Sequence, residues 1–409
     1  MVRILSAATM IALTTIVANA SNGYPFPADA TPIDITKPPY NAVGDGKTDC
    51  TAAFNTALKA GKAQGFNTGG QRLIYVPDGI YLIRCTPEEA QAAREQKYLA
   101  GLVDWQGSKK TILHGQSRDK TIIKLADNCP GFEDARRPRM VVDAGKAGSN
   151  DFSNSVYNIT VDTGVGNPGA IGMKFHTSNQ GGMFNVTIRS GDPQKAGRIG
   201  LDLRANGPGP QLIKNLRIEG FDRGISVVYD GGFDTVFEHV ELIDQREAGV
   251  YNESLPMAIR GLKTRGSVPA VCLAGPSAYL ALIDADLRYV PPATQPTTQA
   301  ATQSSTQPTT SSAKAPSAIV NDTGCLYVRN ATCDGFSSAI RSKVDNTTRV
   351  AHGPKIDEWV SHPVRTAIPS AVARSLELPI EETPEPDWGD RLEPPGSTCS
   401  TPETVRPSV

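Results

Sequence analysis

The sequence is poor in the features that commonly announce a function. Aromatic residues make up only 6% of its 409 positions, and the five histidines, at 114, 176, 239, 352 and 362, are scattered. No CxxC pair and no His-rich cluster suggests zinc. No glycine-rich phosphate loop is present. The formal net charge of −1 leaves no footprint for nucleic acid or for an anionic membrane surface. Long apolar runs are missing apart from Ile4 to Val17, which is interrupted by Ser6, Thr9, Thr14 and Thr15. That run is too short to cross a bilayer comfortably. It follows the basic start Met1-Val2-Arg3 and precedes Ala18-Asn19-Ala20, the layout of a secretory signal peptide over residues 1–20 with cleavage before Ser21. A secreted or periplasmic protein without a membrane span is therefore expected. The seven cysteines suit an oxidising compartment, and their odd number leaves at least one without an intrachain partner. Cys50–Cys85 is the pairing expected, and Cys333 falls where a small core residue would point inward.

What the sequence does contain is repetition. Val156-Tyr157-Asn158-Ile159-Thr160-Val161-Asp162 is echoed by Met183-Phe184-Asn185-Val186-Thr187-Ile188-Arg189 and by Ile213-Lys214-Asn215-Leu216-Arg217-Ile218-Glu219. A weaker row begins at Phe237 and puts His239 in the Asn column, so that the steps are 27, 30 and 24 residues. Gly172-Met173, Gly200-Leu201, Gly224-Ile225 and Gly249-Val250 form a second column in the same register. Each row alternates apolar and polar residues, the mark of a half-buried strand. A fixed period of this size means stacked units, because no single repeat buries its own apolar face. The expected fold is all-β: a single right-handed parallel β-helix in which each repeat is one coil.

Asn158 and Asn185 open Asn-x-Thr sequons, but a repeated Asn suits a bend that tolerates left-handed backbone better than it suits a ligand. Side-chain amides in such a column can bond one another, as in stacked Asn ladders. Ahead of the repeats, Thr48 is placed to cap a helix reaching to Lys62, with Ala53, Phe54, Ala57 and Leu58 on one face. A solenoid needs its open end covered, and an amphipathic helix there would cap it. The segment YNAVGDGKTDCTAAFNTALKAG, followed by GGQRLIYVPDGIYLI, resembles the N-terminal signature of pectate-lyase-superfamily β-helices. That group includes rhamnogalacturonase- and epimerase-like proteins and the two-β-helix exo-β-1,3-glucanases. Asn41, Cys50 and Asp78 depart from the usual pattern by replacing Gly, Asp and Pro. The resemblance is strong over about fifty residues and implies a right-handed β-helix with a carbohydrate-facing role.

The expected organisation is a signal peptide at 1–20, an N-terminal extension at 21–39, a β-helix over 40–378 and a connector-like tail at 379–409. Pro291 to Ser317 holds seven Thr and five Pro with Lys314 as the only charge, so it is expected to be a disordered loop extruded between coils. Coil character resumes at Asn330-Ala331-Thr332-Cys333-Asp334-Gly335-Phe336, which aligns with the row at Asn215. The polar run after Pro87 reads as a helical excursion from the first coils.

Glycosidic hydrolysis needs two carboxylates about the scissile bond, and lyase chemistry needs a base. Outward positions of successive coils form columns: Asp162, Arg189 and Glu219 read as an ion-pair ladder, and Lys174, Asp202, Ser226 and Tyr251 form another. The candidate catalytic residues are Asp202 and the pair Asp230 and Asp234, which flank a Gly-Gly loop with Phe233 in the manner of a sugar-contacting loop. No cofactor is expected unless the protein is a lyase, in which case calcium would be called for. The expected partner is a polysaccharide or oligosaccharide, with no nucleic acid and an oligomeric state the sequence leaves open. Three readings compete: an exported hydrolase or lyase, a non-catalytic glycan-binding or structural β-helix, and one half of a two-helix enzyme that alone would be a poor catalyst.

Overall fold

The computed structural model describes residues 32–60, 72–95, 101–105, 110–145, 151–179, 181–204, 209–228, 233–292 and 315–362. The signal-peptide segment, Asp230, positions 293–314 of the Thr/Pro tract, Cys399 and the 379–409 tail lie outside them. The chain winds as a right-handed parallel β-helix. A fourteen-stranded sheet (sheet 1) and a ten-stranded sheet (sheet 2) are built from strands that alternate along the sequence.

The repeats pair in the register their spacing demands. Val156 lies beside Met183, Met183 beside Ile213, and Ile213 beside Phe237. The column continues through Ile259, Leu282 and Val328. All seven side chains are buried, at 5% exposure or less. Burial of each such side chain contributes about 1.5–3 kcal/mol, and a one-residue slip would turn the whole column outward. On sheet 2 the matching inward column is Val142, Met173, Leu201, Ile225, Val250, Val271, Ile319 and Ile340. Gly172, inside strand Ala170–Phe175, leaves no room for a side chain, because a Cβ there would stand 2.3 Å from Ile188 Cγ2.

Each of the seven long strands of sheet 1, from Ser155–Asp162 to Cys325–Asp334, bends at one left-handed residue. These are Asn158, Asn185, Asn215, His239, Gly261, Asp284 and Asn330, with φ between 53° and 72°. Asn185 Nδ2 donates to Asn158 Oδ1 at 3.2 Å, and Asn215 Nδ2 to Asn185 Oδ1 at 3.0 Å. The Asn column is therefore a hydrogen-bonded ladder on adjacent corners. The two coils whose corners are Gly261 and Asp284 were not legible as repeats, because neither carries Asn.

At the N-terminal end, helix α1 (Thr51–Ala60) buries Phe54, Ala57 and Leu58. It begins later than the sequence suggested. Thr48 donates its hydroxyl back to Asp45, and it is the Asp49 carboxylate that accepts the Thr51 N–H at 2.9 Å. Asn55 of α1 donates to the Leu102 carbonyl at 2.7 Å and accepts the Asp104 N–H at 3.0 Å. One amide side chain thus covers the open edge of sheet 2. Helix α2 (Pro87–Arg94) is the expected excursion, closed by a capping box between Thr86 and Glu89. At the far end the parallel order stops. Strand Thr347–Ala351 pairs antiparallel with Ser338–Val344, and Lys355–Val360 pairs antiparallel with Cys325–Asp334. The turn Asp345-Asn346, with both φ positive, is a two-residue hairpin, and the final strands cover edges that would otherwise stay open.

The expected Cys50–Cys85 bond is absent, and the six described cysteines are free thiols. The Cys50 thiol turns toward the Val43 carbonyl at 3.3 Å. Cys85 instead lies beside Cys129, whose sulfur accepts the Cys85 N–H at 3.3 Å, and beside Arg139. Cys333 is buried as an inward core residue.

Candidate functional site

Outward residues of sheet 2 stack in register into a column of charge. Asp104 lies beside Asp143, Asp143 beside Lys174, Lys174 beside Asp202, Asp202 beside Ser226, and Ser226 beside Tyr251. Neighbouring members are about 4.8 Å apart along the helix axis, the spacing of hydrogen-bonded strands. Of these, Lys174, Asp202, Ser226 and Tyr251 were legible as a column. Asp104 and Asp143 were missed because Val141-Val142-Asp143 lacks the glycine that marks the later rows. The apolar Val142 under Met173 was the available signal.

Asp143 is 8% exposed. Its carboxyl is pushed up to about 6, chiefly by burial, with repulsion from Asp104 and Asp202 adding to the rise and Lys174 opposing it. Lys174 Nζ stands 3.3 Å from Asp143 Oδ1 and donates to the Gly145 carbonyl at 3.3 Å. Asp202 is fully buried, and all its described partners come from Arg204. Oδ1 accepts the Arg204 N–H at 2.9 Å, while Oδ2 accepts Nε at 2.9 Å and Nη2 at 2.7 Å. The column thus holds one carboxyl that titrates close to neutrality, a second carboxyl next to it, and two cations, Lys174 and Arg204. Burial and like charge are the ordinary means of poising an acid for proton transfer.

Beyond Ser226 the column becomes aromatic. The Arg223 guanidinium sits 3.5 Å from the Tyr251 ring centroid, and the Tyr251 hydroxyl donates to Glu253 at 3.0 Å. Asp234 is exposed on the turn that enters strand Thr235–Ile243, and its carbonyl accepts the Gln211 N–H at 3.4 Å. No described contact joins it to Asp143 or Asp202. On sheet 1, Arg189 does pair with Asp162, Nε to Oδ2 at 2.7 Å, but Glu219 takes Arg217 rather than Arg189. Arg217 also reaches Glu241, so that ladder is a branched network. Among the described residues no three of His, Cys, Asp and Glu converge as metal ligands, and in the sheet 2 column Lys174 already stands between the acids.

Several solved structures are similar to the chain at low identity. One is ORF18 of Geobacillus virus E2, at 12% identity and TM-score 0.39, covering 75% of this chain and 62% of that one. A second is the A-module of the mannuronan C-5 epimerase AlgE4 of Azotobacter vinelandii, at 12% and 0.36, covering 62% of this chain and 77% of that one. A third is the family GH82 iota-carrageenase of A. fortis, at 11% and 0.34, covering 75% and 58%. The chain spans less than two thirds of the first and third of these. No curated protein matches the sequence. The family described as "Rhamnogalacturonase A/epimerase, pectate lyase-like" matches residues 38–244, a stretch that takes in the N-terminal cap, the Asn ladder and the acids of sheet 2. With just over half its length matched, the chain belongs to the rhamnogalacturonase A/epimerase, pectate lyase-like family.

Proposed function

We propose that the protein is an exported, polysaccharide-acting β-helix whose substrate lies along the outward face of sheet 2. The observation that carries this reading is the register-locked pair Asp104 and Asp143, the second held near pH 6, inside a family named for polysaccharide chemistry. Adjacent-coil carboxylates whose environments differ fit the division into proton donor and second carboxylate that glycosidic cleavage uses. Asp143 is assigned the role of proton donor and Asp104 that of the second carboxylate. Arg204, oriented by Asp202, and Lys174 are suited to hold the carboxylates of an acidic polysaccharide. Asp202 is then a positioning residue. Asp234, exposed on its turn, is assigned the lesser role of a peripheral substrate contact.

The test is turnover of polygalacturonate, rhamnogalacturonan and β-1,3-glucan, with and without calcium. Asp143→Asn and Asp104→Asn are expected to lower kcat by at least a hundredfold, and wild-type activity is expected to turn on a group near pH 6 that the Asp143 variant lacks. Asp234→Asn is expected to change KM by a few fold at most. Ultraviolet absorbance from a new C4–C5 double bond would identify elimination, with Asp143 as base, in place of hydrolysis. Wild-type-like turnover by both carboxylate variants would remove the site from consideration. A non-catalytic glycan binder is the second reading, favoured by the complete commitment of Asp202 to Arg204; saturable binding without turnover would establish it.

A further inference from the structure

A second charged site lies on the other sheet, at the corner of sheet 1. There a groove of about 310 Å³ is lined by Arg118, Asn215, Arg217, His239, Gly261 and Lys263, among others. The corner ladder explains why it is open. Every neighbouring coil places a side chain at this corner, but the coil after His239 places Gly261, leaving a notch one coil tall. A Cβ built at Gly261 would come within 3.1 Å of His239 Nδ1, so any side chain there would begin to fill the notch.

Two cations line this notch with donors that have no acceptor among the described residues. Arg118 is half-buried and donates Nε to Thr187 Oγ1 at 2.7 Å. Its Nη1 and Nη2 find no acceptor among the described residues, although burial penalises its charge. Lys263 has no described ion pair; of its two in-register neighbours, Glu241 is taken by Arg217 at 2.6 Å and Asp286 by Arg288 at 2.9 Å. The third cation, Arg217, is already satisfied by Glu219 and Glu241, and Glu241 forms the one acidic part of the lining. A guanidinium fork and an ammonium that line one groove, both with donors unmatched among the described residues, suit a planar or tetrahedral oxyanion.

We infer that the Gly261 notch is an oxyanion-binding site, taking the carboxylate or sulfate of an acidic saccharide between the Arg118 terminal nitrogens and Lys263. It is separate from the sheet 2 column and does not depend on that column being catalytic. The occupant bonds the two Nη groups and Lys263 Nζ while the sugar ring rests in the notch.

The experiment is calorimetric titration of the full chain with sodium sulfate, with galacturonate and with neutral galactose, at constant ionic strength set by sodium chloride. Saturable binding of sulfate or galacturonate and none of galactose is expected, and the tighter of the two names the anion's bearer. Lys263→Ala is expected to weaken binding at least threefold and Arg118→Lys about tenfold. Gly261→Asn, which suits the positive φ and extends the ladder into the notch, should abolish binding with the melting temperature maintained. Undiminished binding by Gly261→Asn and Lys263→Ala, or equal binding of galactose, would overturn the assignment whatever the activity at sheet 2.

Discussion

At the scale of single residues, the molecule sets two groups, one carboxyl and one imidazole, far from their ordinary values by burial. Asp143 is one. His114 is the other, on the outward face of sheet 1, where it stacks on Tyr157 at 5.1 Å and its Nδ1 meets the Gly115 carbonyl at 2.7 Å. Burial lowers its pKa from 6.5 to about 4. Because the unfolded chain binds that proton more readily, the stability His114 permits is whole above pH 6.5 and drains as the pH falls toward 4. The displacement corresponds to about 3 kcal/mol at most. His114→Phe, which keeps the stack, is expected to flatten the loss of stability between pH 6.5 and 4 in denaturant titrations. An unchanged slope would show that the imidazole is hydrated. Neither group was legible in the sequence, since nothing in the strings around His114 or Asp143 states how deeply its neighbours cover it.

At the scale of an element, the corner ladder carries the most readable chemistry. Asn was recognised at 158, 185 and 215 because left-handed backbone and amide stacking both favour it. Asn185 sits in the middle, donating to Asn158 and accepting from Asn215. Asn185→Ala loses both bonds and places a Cβ without compensation at φ 53°, so about 2–3 kcal/mol of destabilisation is expected. Asn185→Gly loses the bonds but relaxes the backbone and should cost about half as much. Equal losses in chemical denaturation would mean that the backbone conformation contributes nothing. The corners at Gly261 and Asp284 escaped sequence reading because a ladder position is defined by what stands above and below it. Asp284 qualifies only because Asn330 donates to it at 2.7 Å.

At the scale of the whole molecule, the coil is regular enough to judge its own insertions. The turn from sheet 1 to sheet 2 takes only residues 267–270 in one coil and 335–337 in the last parallel coil. Between them the same turn carries the Thr/Pro tract, entered after Tyr289 and left at Ser317. A four-residue replacement of 291–316 is therefore expected to fold with a melting temperature within about 2 °C of the parent. A collapse in expression or a shift beyond about 5 °C would show that the tract contributes to the folded state.

The sequence by itself determined the solenoid. Its period, the alternation within each row and the Asn corners specify one register, because any other would turn the inward columns to water. It also marked the N-terminal cap and the return of the coil after the tract. What it left undecided is what depends on distance between coils. Asp104, Asp143, Lys174 and Asp202 are separated by 39, 31 and 28 residues, irregular steps that only the stacking of strands converts into one column. The cysteines make the same point, since Cys85 stands by Cys129 and Arg139 through coil packing rather than by Cys50. Periodicity is local and survives in the string, whereas a site is a sum of burial and field over several coils, which exists only once they are stacked.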